Sequence, residues 1–205
     1  MVWRFLSERY WLQSNRFMRI ISGHFKGKKI LEPKNKNTRP LKDLVKESIF
    51  NIINHSKKFS INIEDSFILD LFSGVGSFGI EALSRGAQHV VFVENYNYVL
   101  PILKKNIEKI NQKKKSEIIE KNILNEIDFK EIDQKFDIIF LDPPFKEKNM
   151  EILIDKIYKS KILKETGIMI IHRHYKKNEI LIPEFQTIEE KKYGISKIIF
   201  GKFSN

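Results

Sequence analysis

Apolar residues along the body of the chain fall into short continuous runs, separated by segments in which they recur at helical spacing. The runs predict strands at 67–71, 89–93, 117–120, 136–141 and 168–171, and the spacing predicts helices at 78–84, 96–111 and 147–158. A strand pair over 185–203 turns near Tyr193 and Gly194. Strand–helix alternation followed by a terminal hairpin indicates an α/β fold with a doubly wound, mostly parallel, Rossmann-like sheet and an antiparallel C-terminal edge.

The first sixty residues follow a different pattern. Short apolar stretches between Met18 and Leu31 flank Gly23 and Gly27, which predicts a small hairpin with basic loops. A polar linker follows, and apolar residues after Pro40 recur at helical spacing. We therefore expect a disordered leader at 1–17, a basic hairpin and linker at 18–40, and the α/β domain at 41–205.

The net charge of +11 is concentrated near the N-terminus. Residues 18–60 contain eleven Lys and Arg against three acidic residues, whereas residues 61–205 are nearly neutral. Such a cluster attracts polyanions and favours nucleic acid as the partner. The chain has no cysteine, which excludes disulfides and thiolate metal sites and fits a cytoplasmic location. No apolar run approaches the roughly 20 residues of a membrane helix, so we expect no membrane partner.

A glycine-rich loop follows the first predicted strand of the body and opens a helix. It reads Asp-Leu-Phe-Ser-Gly-Val-Gly-Ser-Phe-Gly from Asp70, and its glycines allow a ligand to approach the backbone. The carboxylate of Asp70 would repel a pyrophosphate but could accept hydrogen bonds from an ammonium group, directly or through water. Glu94 ends the second strand, where it could accept both hydroxyls of a ribose. These acids favour S-adenosylmethionine over a dinucleotide; a glycine turn that serves only packing is the alternative.

The fourth predicted strand runs into Asp142, Pro143, Pro144 and Phe145. An exocyclic amine of a base is a poor nucleophile, because its lone pair is delocalised into the ring. The Asp142 carboxylate and the Pro143 carbonyl could accept its two N–H groups, while Phe145 stacks on an unpaired or flipped base. Position and orientation then supply much of the rate. The alternative is a loop whose prolines only end a strand.

These elements resemble the RsmD family of bacterial 16S rRNA guanine-N2 methyltransferases, from Met18 to the C-terminus. The resemblance is carried by Arg-Ile-Ile-Ser-Gly-His-Phe-Lys-Gly-Lys-Lys from Arg19, by Arg39-Pro40 with Val-Lys-Glu-Ser-Ile-Phe-Asn from Val45, and by the two motifs above. It implies a class I methyltransferase domain, with S-adenosylmethionine as donor and S-adenosylhomocysteine as product. The implied substrate is guanine 966 of 16S rRNA in the small ribosomal subunit.

The resemblance also implies that the N-terminal hairpin contacts RNA and that Asn122 lies near the adenine. The resulting candidates are, for the donor, Asp70, Phe72, Gly74, Gly76, Glu94, Asn122 and Ile123; for catalysis, Asp142, Pro143, Pro144 and Phe145; and for RNA, Arg19, His24, Lys26, Lys28, Lys29 and Arg39. Methyl transfer from a sulfonium needs no metal, so we expect none, and we expect a monomer.

Two regions depart from the family pattern. Leu41 and Leu44 stand where members often have Thr and Arg, so RNA or carboxylate binding is not carried over to them. The fifth strand, which often ends in Glu, here runs into His172, Arg173 and His174. We predict a polar strand end whose two histidines face opposite sides, not a metal site.

Four other functions are compatible with parts of the pattern. An adenine-N6 DNA methyltransferase shares the acid-Pro-Pro-aromatic element but usually has a larger target-reading region. A glutamine methyltransferase typically begins that element with Asn, and Asp70 disfavours an oxidoreductase. A non-catalytic RNA-binding factor in ribosome assembly would not need the intact element at Asp142. We therefore expect methylation of a guanine N2 amine in 16S rRNA.

Overall fold

The computed structural model describes residues 18–33, 41–177 and 181–204. Its strands and helices, in chain order, are β1 (Met18–Arg19), β2 (Lys29–Ile30), α1 (Asp43–His55), β3 (Phe67–Leu71), α2 (Ser77–Ser84), β4 (His89–Val93), α3 (Leu100–Lys109), β5 (Ser116–Ile119), β6 (Phe136–Leu141), α4 (Met150–Ser160), β7 (Leu163–His174), β8 (Phe185–Tyr193) and β9 (Ser196–Phe203). The predicted leader at 1–17, the linker at 34–40 and Arg39 lie outside the described residues.

The strands of the body form one seven-stranded sheet in the order β5-β4-β3-β6-β7-β9-β8. The first five strands in that order are parallel to one another, and β9 pairs antiparallel with both β7 and β8. The predicted doubly wound fold with an antiparallel C-terminal edge is therefore confirmed. From β3 the chain adds β4 and β5 on one side and then β6 and β7 on the other, so the topological switch point lies between β3 and β6. Open α/β sheets bind ligands at this point.

The sheet is buried on both faces, because its central strands are apolar at nearly every position. Alternate residues enter two separate cores. Ile68, Phe92 and Phe140 join one core together with α1, α2, α3 and the N-terminal hairpin. Leu69, Val93 and Leu141 join the other, which α4 covers.

Two predicted elements differ from the structure by four or more residues at one end. Strand β7 runs from Leu163 to His174 and so carries the whole His172-Arg173-His174 segment inside the sheet. The segment was predicted to be a strand end because its polarity masks the strand pattern. Helix α3 begins at Leu100, later than predicted, after a turn in which the amides of Val99 and Leu100 both donate to the Tyr96 carbonyl.

The N-terminal hairpin, residues 18–31, docks on the outer side of α2. The backbone amides of Ile21 and Ser22 donate to the Glu81 carboxylate at 2.8 and 2.9 Å, and the amide of His24 donates to the Ser84 carbonyl at 2.7 Å. Apolar residues of the hairpin are also buried in the core that α2 shares. The hairpin is thus fixed to the helix that follows the glycine loop. In the described part of the chain, no helix combines the length and apolar character needed to span a membrane.

Candidate active site

The carboxyl ends of β3, β4 and β6 place three acids around one cavity of about 860 Å³. Strand register pairs Leu71 with both Val93 and Leu141, so Glu94 and Asp142 follow their strands at the same level on either side of β3. Most predicted site residues line this cavity: Asp70, Phe72, Gly74, Glu94, Asn122, Ile123, Asp142, Pro143, Pro144 and Phe145. The structure therefore brings the predicted donor and catalytic residues together.

The glycine loop forms one wall of the cavity. Gly74 has a φ of +55°, and a Cβ added there would meet nothing within 4 Å, so the residue combines a left-handed backbone with open space. Gly76 also has a positive φ, but it does not line the cavity, and a Cβ there would lie 2.6 Å from Leu103. Gly74 can therefore admit a ligand, whereas Gly76 serves the packing of α2 against α3.

Asp70 lies beneath this loop and is only 1% exposed. Its Oδ2 accepts a hydrogen bond of 3.0 Å from the amide of Gly79. Burial raises the pKa of Asp70 well above the ordinary carboxyl value; the Gly79 amide opposes the shift, and the charges of Asp142 and Glu94 add to it. A cation in the cavity would stabilise the ionised form of Asp70 and so lower this pKa.

Glu94 is tied to the backbone of both neighbouring loops. Its Oε2 accepts from the Gly74 amide at 2.8 Å, and its Oε1 accepts from the amides of Asn95 and Tyr96 at 2.9 Å each. A carboxylate has about four acceptor positions, so three backbone amides leave one by this count. We predicted that Glu94 accepts two ribose hydroxyls; this geometry accommodates one more donor.

Asp142 begins the opposite wall, and its side chain is held by residues that the sequence did not single out. Its Oδ1 lies 2.7 Å from Nδ1 of His172, and Nε2 of His172 lies 2.9 Å from Oγ of Ser196. His172 is 3% exposed, so its ring is fixed inside the protein between these two groups. The carboxylate that follows β6 is thereby oriented from β7 and β9.

The prediction that His172 and His174 face opposite sides of their strand was wrong. Residues two apart on a strand share a face, and both imidazoles contact the Phe145 ring at steep angles. The ring centroids lie 5.6 Å apart for His172 and 5.3 Å apart for His174, with interplanar angles of 77° and 87°. The two histidines therefore support Phe145. Within residues 18–33, 41–177 and 181–204, no three His, Asp or Glu side chains cluster as metal ligands do.

Arg173, the residue between these histidines, holds the loop after Asp142 from behind. Its guanidinium is buried, and it donates to the Pro144 carbonyl at 3.0 Å and to the Glu147 carbonyl at 2.6 Å. Pro144 also accepts the Glu147 amide at 2.8 Å. The Pro144 carbonyl is thus committed to hydrogen bonds within the loop.

The predicted RNA-binding residues that the structure describes lie on the N-terminal hairpin and are not among the residues that line the cavity. Arg19, His24, Lys26, Lys28 and Lys29 are all exposed, and Arg19 Nε lies 4.0 Å from Oδ2 of Asp43. The hairpin therefore presents a basic surface to solvent, as its composition predicted.

A buried charge cluster beneath the hairpin was not predicted. Lys46 and Glu81 are fully buried with Nζ and Oε2 3.6 Å apart, and Arg85 Nε donates to Glu81 at 2.9 Å. Lys46 also donates to the Arg19 carbonyl at 3.1 Å. Burial lowers the pKa of Lys46, although Glu81 and Asp43 oppose the shift. The sequence did carry one sign of this cluster, since Lys46 and Glu81 each lie on the apolar face of a predicted helix.

Comparison with known proteins assigns the family. The family model described as "Conserved hypothetical protein 95", the RsmD family, matches residues 18–202. This chain belongs to the RsmD family. Ribosomal RNA small subunit methyltransferase D of Haemophilus influenzae is 32% identical over 87% of this chain and 90% of its own length. The protein of the same name from Buchnera aphidicola subsp. Baizongia pistaciae is also 32% identical, over 92% of each chain.

Solved structures agree with the assignment to the RsmD family. This chain superimposes on yhhF of Escherichia coli with a TM-score of 0.76 and 25% identity, covering 91% of this chain and 97% of that one. For HI0767 of Haemophilus influenzae the TM-score is 0.70 and the identity 31%, covering 90% and 97%. The chain therefore has the fold of class I S-adenosylmethionine-dependent methyltransferases.

Proposed function

We propose that this RsmD-family protein methylates the exocyclic N2 amine of a guanine in 16S rRNA of the small ribosomal subunit, as a cytoplasmic monomer that uses S-adenosylmethionine. The observation that carries the proposal is the shared cavity. The glycine loop with Asp70 and Glu94 forms one wall, the donor wall, and Asp142 with Phe145 forms the other, the acceptor wall. A donor and a base could therefore meet in one space.

The residues of the first wall fit S-adenosylmethionine. Gly74 provides open backbone, Asp70 provides a buried carboxylate for the ammonium group, and Glu94 has capacity for one ribose hydroxyl. Asn122 and Ile123 extend the same wall and are assigned to the adenine. When bound, the donor supplies an electrophilic methyl group to the cavity.

The residues of the second wall fit a base with an exocyclic amine. Asp142 and the Pro143 carbonyl accept the two N–H groups, which directs the nitrogen lone pair away from the ring. Phe145, half-buried at the cavity wall, provides the stacking surface, which is worth about 1–3 kcal/mol per base. A base in a duplex cannot enter such a cavity, so the substrate guanine must be unpaired or flipped out.

The choice of ribosomal RNA is supported by the basic hairpin and by the relatives. Both methyltransferase D proteins act on small-subunit ribosomal RNA by name, and they span most of this chain. The family model covers the hairpin region as well. Arg19, Lys26, Lys28 and Lys29 supply positive charge suited to phosphates beside the target; His24 and Arg39 complete the proposed RNA-binding set. RNA is therefore the substrate, and the hairpin is the surface that positions it.

The decisive experiment measures transfer of labelled methyl groups to small subunits that lack the modification, beside free 16S rRNA, duplex DNA and protein. We expect N2-methylguanosine in 16S rRNA. Asp142→Ala should lower the rate about 10³-fold, because the group that hydrogen-bonds the amine and orients it towards the methyl group is lost. His55→Ala, at an exposed site on α1, is the matched control and should transfer normally.

Three other results would each change the proposal. N6-methyladenine in DNA would keep the reaction type and overturn the substrate. Tight donor binding without transfer to any of the four substrates would overturn both substrate and acceptor assignment. Normal transfer by Asp142→Ala would show that the Asp142 carboxylate is not needed for methyl transfer.

A further inference from the structure

We propose that His172 is a positioning residue for the methyl transfer: it fixes the Asp142 carboxylate so that Oδ2 is presented to the amine of the base. The inference rests on the proposed function, since it assigns how the acceptor of that reaction is held. It starts from one observation, a buried imidazole bonded to the predicted catalytic carboxylate at 2.7 Å.

The donor in that bond follows from the chemistry of the two groups. An ionised carboxylate is only an acceptor, so the hydrogen must lie on Nδ1 of His172 and point to Oδ1 of Asp142. Nε2 then interacts with the Ser196 hydroxyl at 2.9 Å, a group that can donate or accept. The Nδ1–H form is thus compatible with the partners at both ends of the ring.

The surroundings make this orientation rigid. Ser196 is 1% exposed at the start of β9, and His172 lies in the interior of β7, so both partners come from paired strands. Phe145 packs against the same imidazole. One histidine therefore contacts both functional groups of the acceptor wall, the carboxylate that orients the amine and the ring that stacks on the base.

The consequence for catalysis is geometric. A carboxylate on one side-chain bond can rotate, and a rotated Asp142 would turn its acceptor lone pairs away from the amine. With Oδ1 held by His172, the remaining oxygen has a defined direction into the cavity that Asp142 lines. Misplacement of a reacting group by about 1 Å can cost about 100-fold in rate, so loss of the bond should affect the chemical step more than binding.

The test compares His172→Leu with His172→Asn. Leucine keeps apolar bulk and removes the donor, whereas the amide nitrogen of asparagine is attached to Cγ, as Nδ1 is in histidine, and can donate to Oδ1. Single-turnover methyl transfer to 16S rRNA is measured for both variants and for His55→Asn, a control at an exposed histidine. Donor binding by calorimetry and RNA binding by filter retention are measured on the same proteins.

We expect His172→Leu to lower the single-turnover rate about 10- to 100-fold. His172→Asn should recover the rate to within about 3-fold of wild type, and both should bind donor and RNA as wild type does. A wild-type rate in His172→Leu would overturn the inference. Equal rate losses in the two variants would also overturn it, because burial rather than the donor would then be responsible.

Two further outcomes separate failure of the inference from failure of the proposed function. If His172→Leu does not fold, the comparison passes to Ser196→Ala, which removes the hydroxyl that interacts with Nε2 of His172. A rate lowered by several-fold would support the inference, and an unchanged rate would overturn it. Failure of the wild-type protein to methylate both free 16S rRNA and small subunits that lack the modification would instead refute the proposed function, on which the inference depends.

Discussion

The two walls of the cavity are held in place by different means. In the donor wall, the carboxylates of Asp70 and Glu94 are bound by backbone amides, from Gly79 and Gly74 respectively. In the acceptor wall, Asp142 is bound by a side chain from the next strand, His172. Backbone donors persist through most substitutions, whereas side-chain donors do not. We therefore expect the acceptor wall to be the more easily disrupted by single substitutions of supporting residues such as His172.

The largest effect expected within the donor wall comes from Asp70→Asn. Loss of the charge should weaken S-adenosylmethionine binding about 10- to 100-fold, because a hydrogen bond to a charged group is worth about 1.5–3 kcal/mol. The single-turnover rate at saturating donor should change much less. Calorimetric titration and single-turnover transfer measure the two quantities. An unchanged donor affinity would show that Asp70 is only a structural partner of Gly79.

The raised pKa of Asp70 adds a pH dependence to this prediction. Because folding raises this pKa in the donor-free protein, the contribution of Asp70 to stability is complete below its unfolded pKa and is lost as pH rises through its folded pKa. The donor's ammonium group favours the ionised form instead. The donor affinity of the wild-type protein should therefore increase as pH rises through the folded pKa of Asp70, whereas the donor affinity of Asp70→Asn should not show this increase.

The second effect, in the acceptor wall, is expected from Arg173→Met. Methionine fills similar space but removes two hydrogen bonds from a charged donor, each worth about 1.5–3 kcal/mol, and leaves the Pro144 carbonyl with the Glu147 amide alone. We expect a lower melting temperature and about a 10-fold lower transfer rate, with donor affinity retained. Arg173→Lys, which keeps one charged donor, should be intermediate. Weakened donor binding in Arg173→Met would show that the two walls are not held independently.

The same contrast explains what the sequence could predict. The glycine loop and its acids lie within 25 residues of one another, and the predicted bounds of β3, β4 and β6 match the structure. His172 and Ser196 are 30 and 54 residues from Asp142, and only the pairing of β7 with β6 and β9 brings them together. A polar residue near the end of a strand gives no indication of its partner. The buried Lys46–Glu81 pair was missed for the same reason, since its partners lie on separate helices.

The smallest effect tests whether the donor wall depends on the hairpin that docks behind it. Gly23 has a φ of +81°, and a Cβ there would lie 1.8 Å from the Ser84 carbonyl oxygen on α2, a backbone atom that cannot move independently. Gly27 has a similar φ of +84°, but a Cβ there would meet nothing within 4 Å. Gly23→Ala thus adds a steric clash to the backbone penalty that both glycines carry, and Gly27→Ala is its matched control.

Gly23→Ala should displace the hairpin and weaken binding to 16S rRNA by about 5-fold, because the basic residues that meet the phosphates lose their position. Gly27→Ala should weaken it less, and neither should change donor affinity. Filter retention of RNA and calorimetry of the donor test both statements. If Gly23→Ala lost donor affinity as well, displacement of the hairpin would have moved α2 and the glycine loop before it. The donor wall would then depend on the hairpin, although backbone amides hold its carboxylates.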